Sequence, residues 1–257
     1  MTEMKFLSVG CGDSTVIITT NDTILIDCYK IDEYTKYLPS NKVIKALFIT
    51  HQHYDHFDGM DYLKDNGYTI DYLIYSPYSR RNNDNSVEYD EWKKFKNLVT
   101  HFEKKGSKVN KPYRQDSFEK PWWTVSGLQI WMLGPNEEIA SSSTRELHDA
   151  CLVFLIKNKS TGNKCCFTGD ASDKNLNWIA NNTTNYCNDT LHASHHGSIN
   201  GADLEFIKNA KIKDTIISTK SGTYQSVPHS TALKRYKDNS SNKVYRTDVD
   251  GTLTWKF

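Results

Sequence analysis

The sequence predicts an α/β (α+β) protein in which two β-sheets pack together with helices outside. Three observations lead there. Short strand-like and helix-like segments alternate along the chain. Both halves are β-rich and both carry helices, which suits two sheets covered by helices. Each polar cluster falls directly after a strand, where α/β proteins place their sites. The 257 residues show no linker and no internal repeat, so 1–257 is read as one domain.

The elements follow in order. Met4–Val9, Ser14–Thr20 and Thr23–Cys28 read as three consecutive strands, and Ile31–Leu38 as a short helix. Val43–Thr50 is an apolar run ending in a polar cluster, and Tyr68–Ser76 is a further strand. Over Glu88–Lys105, Trp92, Phe95, Leu98 and Phe102 recur every three to four residues, an amphipathic helix that Gly106 would stop. In the second half Leu128–Leu133, Cys151–Lys157, Lys164–Thr168, Thr190–Ala193 and Thr215–Thr219 read as strands. Asp173–Ala180, Ala202–Asn209 and Thr231–Lys237 read as helices. Lys243–Phe257 reads as a hairpin turning at Asp250-Gly251, a type I′ signal.

Composition excludes some classes. Lys and Arg total 32 against 31 Asp and Glu, a net charge of +1, which excludes a strongly basic nucleic-acid coat and an acidic tail protein. It leaves room for a local basic groove. Hydrophobic residues at 37% and aromatics at 12% suffice for a core. No apolar run is long enough for a membrane span or a signal peptide, so no membrane partner is expected. The six cysteines fit no CxxC zinc spacing, and Cys165-Cys166 are adjacent, a poor start for a disulfide framework. A reducing, cytoplasmic setting is the expectation.

The chemistry concentrates in Thr50-His51-Gln52-His53-Tyr54-Asp55-His56. Three imidazoles and a carboxylate lie within six residues. His51 and His53 are two apart, so an extended backbone points both rings the same way. Asp55 and His56 follow in a turn and face a second point nearby. Two divalent ions roughly 4 Å apart need this kind of N/O supply. The loop cannot close two sites alone; the further candidates are His148, Asp170 and the pair His195-His196. Asp170 ends the run Lys164–Gly169, where a carboxylate could bridge both ions or, alternatively, cap the next helix. Of the adjacent His195 and His196, one is read as a ligand and one as a substrate contact, with His196 favoured as the ligand because it lies nearer Gly197.

These motifs carry a resemblance. THQHYDH, FTGD and SHHGS, in this order, resemble the metallo-β-lactamase fold hydrolases. Gly10-Cys11-Gly12-Asp13-Ser14, Thr23–Cys28 and Tyr245-Arg246-Thr247-Asp248-Val249-Asp250-Gly251 resemble the soluble domain of the ComEC-type branch, over about Leu7 to Trp255. The resemblance implies a four-layer αββα sandwich. It implies His51, His53 and His148 at a first metal, and Asp55, His56 and a later histidine at a second, with Asp170 shared. It implies Asp27 as a buried carboxylate that holds the histidine loop. The chain departs from the branch in several places. His148 stands where many ComEC-type sequences carry Asn, with Asp149 beside it as an alternative oxygen ligand. A late Gly-x-x-Asn and His-Pro pattern is altered to Ser218–Gly222 and Pro228-His229-Ser230. The ComEC membrane channel is missing, so DNA uptake is not implied.

The expected function is metal-dependent hydrolysis. Two zinc ions, or manganese, would lower the pKa of a shared water and so supply hydroxide. Asp55, His195 and His229 are the candidate catalytic residues, with His195, His196 or His229 protonating the leaving group. The leading reading is a phosphodiesterase or nuclease acting on nucleic acid or a nucleotide. Lys93, Lys94, Lys96, Lys104, Lys105, Lys108, Lys111 and Arg114 make the long helix region basic, and Tyr113, Trp122 and Trp123 stand beside it as base-stacking candidates. A solvated helix face and core aromatics are the alternatives for these residues. The alternative activities are lactone, thioester or β-lactam hydrolysis, and a non-enzymatic metal-binding subunit of a larger complex. Partner protein and homo-oligomer are not readable from the sequence.

Overall fold

The computed structural model describes residues 2–224 and 226–257. Six strands begin the fold: β1 (Glu3–Phe6), β2 (Ser14–Ile18), β3 (Thr23–Cys28), β4 (Val43–Ile49), β5 (Thr69–Tyr75) and β6 (Lys108–Asn110). A second run follows: β7 (Trp123–Val125), β8 (Leu128–Gly134), β9 (Val153–Asn158), β10 (Lys164–Phe167), β11 (Thr190–His192), β12 (Ile212–Ile217) and β13 (Ser240–Arg246). The last strand, β14 (Leu253–Lys256), returns to the first sheet, giving the orders β14-β1-β2-β3-β4-β5-β6 and β13-β12-β11-β10-β9-β8-β7. Each sheet is mixed in the same way. β1, β2 and β3 are antiparallel while β3 to β6 run parallel. β7 to β10 are antiparallel while β10 to β13 run parallel.

The helices are α1 (Tyr54–Phe57), α2 (Gly59–Asp65), α3 (Tyr89–Lys104), α4 (Glu137–Ser141), α5 (Asp173–Asn182), α6 (Leu204–Ala210), α7 (Ser230–Asn239) and α8 (Thr247–Asp250). Strand alternation sorts the side chains into layers. Ile24, Ile26, Ala46 and Phe48 face Ile130, Met132, Phe154 and Phe167 between the sheets. Leu25, Leu47, Ile49 and Leu73 point the other way, onto Phe57, Met60, Leu63, Phe95 and Phe102 of α1, α2 and α3. On the second sheet Leu133, Val153, Leu155 and Leu191 pack on Leu176, Ile179, Phe206 and Tyr236 of α5, α6 and α7. The result is the expected four-layer αββα sandwich, with β4 buried on both faces.

The C-terminal hairpin expectation is corrected. Thr247–Asp250 forms a helical turn, β13 lies parallel to β12 in the second sheet, and β14 lies antiparallel to β1 in the first. Gly251 at φ 71° breaks the chain between two sheets rather than turning it back on itself. Helix α2 and strands β6 and β7 escaped the sequence reading. Trp122 and Trp123 pack against the inter-sheet core, with Trp123 4.8 Å from Tyr72, so they are not free to stack bases. Several of the basic residues around α3 are also engaged. Lys94 pairs with Asp58 and Asp61, Lys108 and Lys111 lie over Tyr72 and Tyr75, and Arg114 lies over Phe118 and Trp178. The six cysteines are buried and free. Among the described residues no helix is long and apolar enough to cross a membrane.

Candidate metal centre

The parallel strands of both sheets end at one rim, and the histidines and carboxylates sit on the loops beyond them. The loop after β4 carries His51 and His53, and α1 carries Asp55 and His56. A short 3-10 turn, Leu147–Ala150, presents His148 before β9. Asp170 follows β10, and His195 and His196 form a tight turn after β11. Gly169 is needed at φ 47°: a Cβ there would lie 2.6 Å from the Thr50 side chain, so any other residue would push the two loops apart.

Four residues converge first: His51, His53, His148 and Asp170 each offer a donor atom within 4.8 Å of the others. His51 Nε2 lies 3.1 Å from His53 Nδ1, and His148 Nε2 lies 3.2 Å from the same atom. Donors around a tetrahedral zinc with bonds of about 2.0–2.1 Å stand ~3.4 Å apart, close to this spacing. A second group is Asp55, His56 and His196. His196 Nε2 is 3.4 Å from Asp55 Oδ2 and 3.6 Å from Asp170 Oδ2, and His56 Nε2 is 3.4 Å from Asp170 Oδ1. Asp170 stands between the two groups.

The outer nitrogens explain why the inner ones are available. His56 Nδ1 donates to Asp27 Oδ2 at 2.9 Å, His196 Nδ1 to the Ser218 carbonyl at 3.0 Å and His53 Nε2 to the Ser86 carbonyl at 3.0 Å. Each such bond puts the proton outside and turns a lone pair inward. His56 Nε2, His196 Nε2 and Asp170 Oδ1 are buried without any hydrogen-bond partner. An unmet buried polar atom costs about 1–3 kcal/mol, and here three of them aim at one another. Cations fit that arrangement; further protein groups do not.

Charge makes the same point. Asp13, Asp27 and Asp170 are buried and Asp55 is nearly so, yet among the described residues their ion pairs run only to histidines. Burial, helped by the neighbouring histidines and opposed by Asp170, draws His51 well below the usual imidazole range and His148 down to about 3. Burial also opposes charge on His196, but Asp170, Asp55 and Asp13 outweigh it and hold that ring up at about 10. His56 is held well above the ordinary value by Asp170 and Asp27 against the same burial. Burial raises Asp27 to about 6 although His56 pulls it down.

Asp27 does more than face His56. Its carboxylate accepts from the Thr50 backbone N–H and from Thr50 Oγ1, both at 2.8 Å, so it anchors the start of the histidine loop. Two residues given no role from sequence join this arrangement. Asp13 lies 3.6 Å from His196 Nδ1 and 3.9 Å from His56 Nδ1. His192 is buried against Ser218 Oγ at 2.8 Å and stands 3.8 Å from Asp13. The only sequence sign of Asp13 was the Gly-x-Gly-Asp-Ser turn itself. Thr247 of α8 holds Thr219 by bonds in both directions, which fixes the segment whose Ser218 carbonyl takes the His196 proton.

Three expectations change. Asp170 is not a helix cap, because Ser172 accepts from Asn175 N–H at the start of α5. Asp149 points away from the cluster: it closes the Glu146 turn and accepts from Ser172 Oγ at 2.6 Å. His229 is not brought to the centre; its Nδ1 accepts from the Thr231 N–H and caps α7. His195 and His196 do diverge, but in a turn rather than on a strand, both with left-handed backbones at φ 51° and 53°. Their rings lie 6.3 Å apart at 77°, with His196 in the second group and His195 on the cavity side, 4.7 Å from the His148 ring.

No protein-family model and no curated protein matches the chain. Solved structures do. The metallo-β-lactamase fold protein YhfI from Bacillus subtilis matches with a TM-score of 0.58 at 14% identity, over 99% of this chain and 99% of that one. Human tRNase Z, short form, matches with a TM-score of 0.56 at 14% identity, over 99% and 98%. A diphosphatase from the PhnP family matches with a TM-score of 0.55 at 11% identity, over 99% and 98%. The fold is the metallo-β-lactamase fold.

Proposed function

We propose that the chain is a metal-dependent phosphodiesterase acting on a nucleotide or nucleic acid. The observation that carries the reading is the pair of adjoining donor groups, with Asp170 in the first and within 3.4 Å of His56 and 3.6 Å of His196 in the second, and three buried inner atoms left without partners. In this reading His51, His53 and His148 hold one ion, Asp55, His56 and His196 hold a second, and Asp170 serves both. The nitrogen-rich group suits zinc, and the oxygen-containing group suits zinc or manganese. Bound there, the ions supply Lewis acidity and an activated water near neutral pH.

The chain's own groups do the rest. Asp27 and Ser218 keep the His56 and His196 rings turned inward. His195, with its side chain 27% exposed and its Nε2 3.8 Å from Asp170, stands where it can hold a phosphoryl oxygen or protonate the leaving group. His229 has no place in this step. The phosphodiester reading draws on the fold shared with tRNase Z and a PhnP-family diphosphatase. It draws also on the ComEC-type likeness of Gly10–Ser14 and Tyr245–Gly251, which bring Asp13 and Thr247 to the centre. The test is elemental analysis paired with turnover of single- and double-stranded DNA, RNA, cyclic nucleotides and a lactone. Metal uptake with phosphodiester cleavage is expected. Metal uptake with lactone cleavage alone would replace the substrate class.

A further inference from the structure

A cavity of about 450 Å³ opens over the donor groups, within the range of small-molecule sites. Asp55, Asp170, His53, His195 and His196 form its floor. Its walls are Tyr29, Tyr54, Tyr224, Val227 and Glu91. Among the described residues five large hydrophobics are exposed, and two of them, Tyr54 at 46% and Tyr224 at 53%, stand here. Neither is spent on the core. The Tyr54 ring is fixed by the Lys94 ammonium 4.9 Å from its centroid and by Tyr29 edge-on at 6.3 Å.

The charge on these walls is unusual for a site that takes phosphate. No Lys or Arg lines the cavity among the described residues. A polyanion threaded through it would find no counter-charge for its neighbouring phosphates. Glu91, from the first turn of α3, is the one lining carboxylate outside the donor groups. One of its oxygens accepts from the Tyr54 N–H; the other has no protein donor among the described residues. The walls therefore ask for a flat ring that also offers an N–H.

We infer that this cavity is a nucleobase subsite, in which a base bearing an amino group stacks on the tyrosines and donates to Glu91 while its phosphate lies on the floor. The inference rests on the phosphodiesterase reading for the phosphate, but its walls are read independently. A stacked base contributes about tenfold or more in affinity, and a charge-assisted hydrogen bond adds to that. The substrate class becomes a mononucleotide diester or the terminal nucleotide of a chain, rather than an internal stretch of polymer.

The test is calorimetric titration of zinc-loaded protein with AMP, CMP, ribose 5-phosphate and phosphocholine, beside turnover of bis(p-nitrophenyl) phosphate. AMP or CMP should bind at least about tenfold tighter than ribose 5-phosphate. Glu91→Gln, which keeps an acceptor for the Tyr54 N–H, and Tyr224→Leu, which belongs to neither donor group, should each narrow that ratio about threefold or more at unchanged metal content. Equal binding of all four probes, a ratio that neither variant moves, or tightest binding of phosphocholine would overturn the subsite. Base-selective binding without cleavage of any phosphodiester would instead remove the reaction and leave the subsite standing.

Discussion

The two donor groups are built from similar side chains but supported differently. His51 Nδ1 is backed by the Thr50 hydroxyl at 3.3 Å, and His53 by a loop carbonyl. His56 is backed by the Asp27 carboxylate, and His196 by the Ser218 carbonyl with Asp13 beside it. The supports of the first group are thus neutral, with His53 lining the cavity and His148 half-buried beside it. The second is buried against fixed negative charge. A carboxylate behind an imidazole makes it a stronger donor, so the second group depends on its supports while the first depends on its ligands.

The largest effect that bears on this contrast is at the shared residue. Asp170→Ala should strip both groups at once, with turnover falling by about 10³ or more in a chain whose circular dichroism is unchanged. Near-normal turnover would mean that the groups do not share a ligand. His195→Ala comes next, because His195 belongs to neither group. It should cut the rate by roughly 10²–10⁴ at unchanged metal content. Loss of metal in this variant would move His195 into the ligand set.

Asp27→Asn separates the groups directly. It should weaken the second ion about 10- to 100-fold in chelator competition, and the first much less, through the shared Thr50 contact. Equal weakening of both would show that Asp27 acts on the whole loop rather than on His56. The smallest effect is expected from Asp149→Ala. It should cost about 1 kcal/mol in urea unfolding by removing the capping contact at the His148 turn, and leave metal content intact. Reduced metal content there would restore Asp149 as an oxygen ligand of the first group.

What the sequence disclosed follows from range. His51, His53, Asp55 and His56 are close in the chain, so their convergence shows in the spacing itself. The alternation of Ile24, Leu25 and Ile26 declares a strand buried on both faces. Asp13 reaches His56 across 43 positions and His192 meets Ser218 through a neighbouring strand, and no local pattern encodes either. The C-terminal error has the same source. Tyr245 and Trp255 alternate as hairpin strands do, and their rings meet at 5.2 Å across the two sheets. But β13 finds its partner in β12 and β14 in β1, choices made by distant strands. Helix α2 was missed because it starts at a glycine, Gly59, one residue past α1, held against the Cys28 carbonyl with no space for a Cβ.

The central claim is that two ions bind through groups that share Asp170. It is tested most directly by counting metal in gently purified protein, native and His196→Ala, after equilibration with zinc or manganese. Two ions per native chain and one per His196→Ala chain are expected, since only the second group loses a nitrogen. A native chain that holds no metal, and takes up none on addition, would contradict the account.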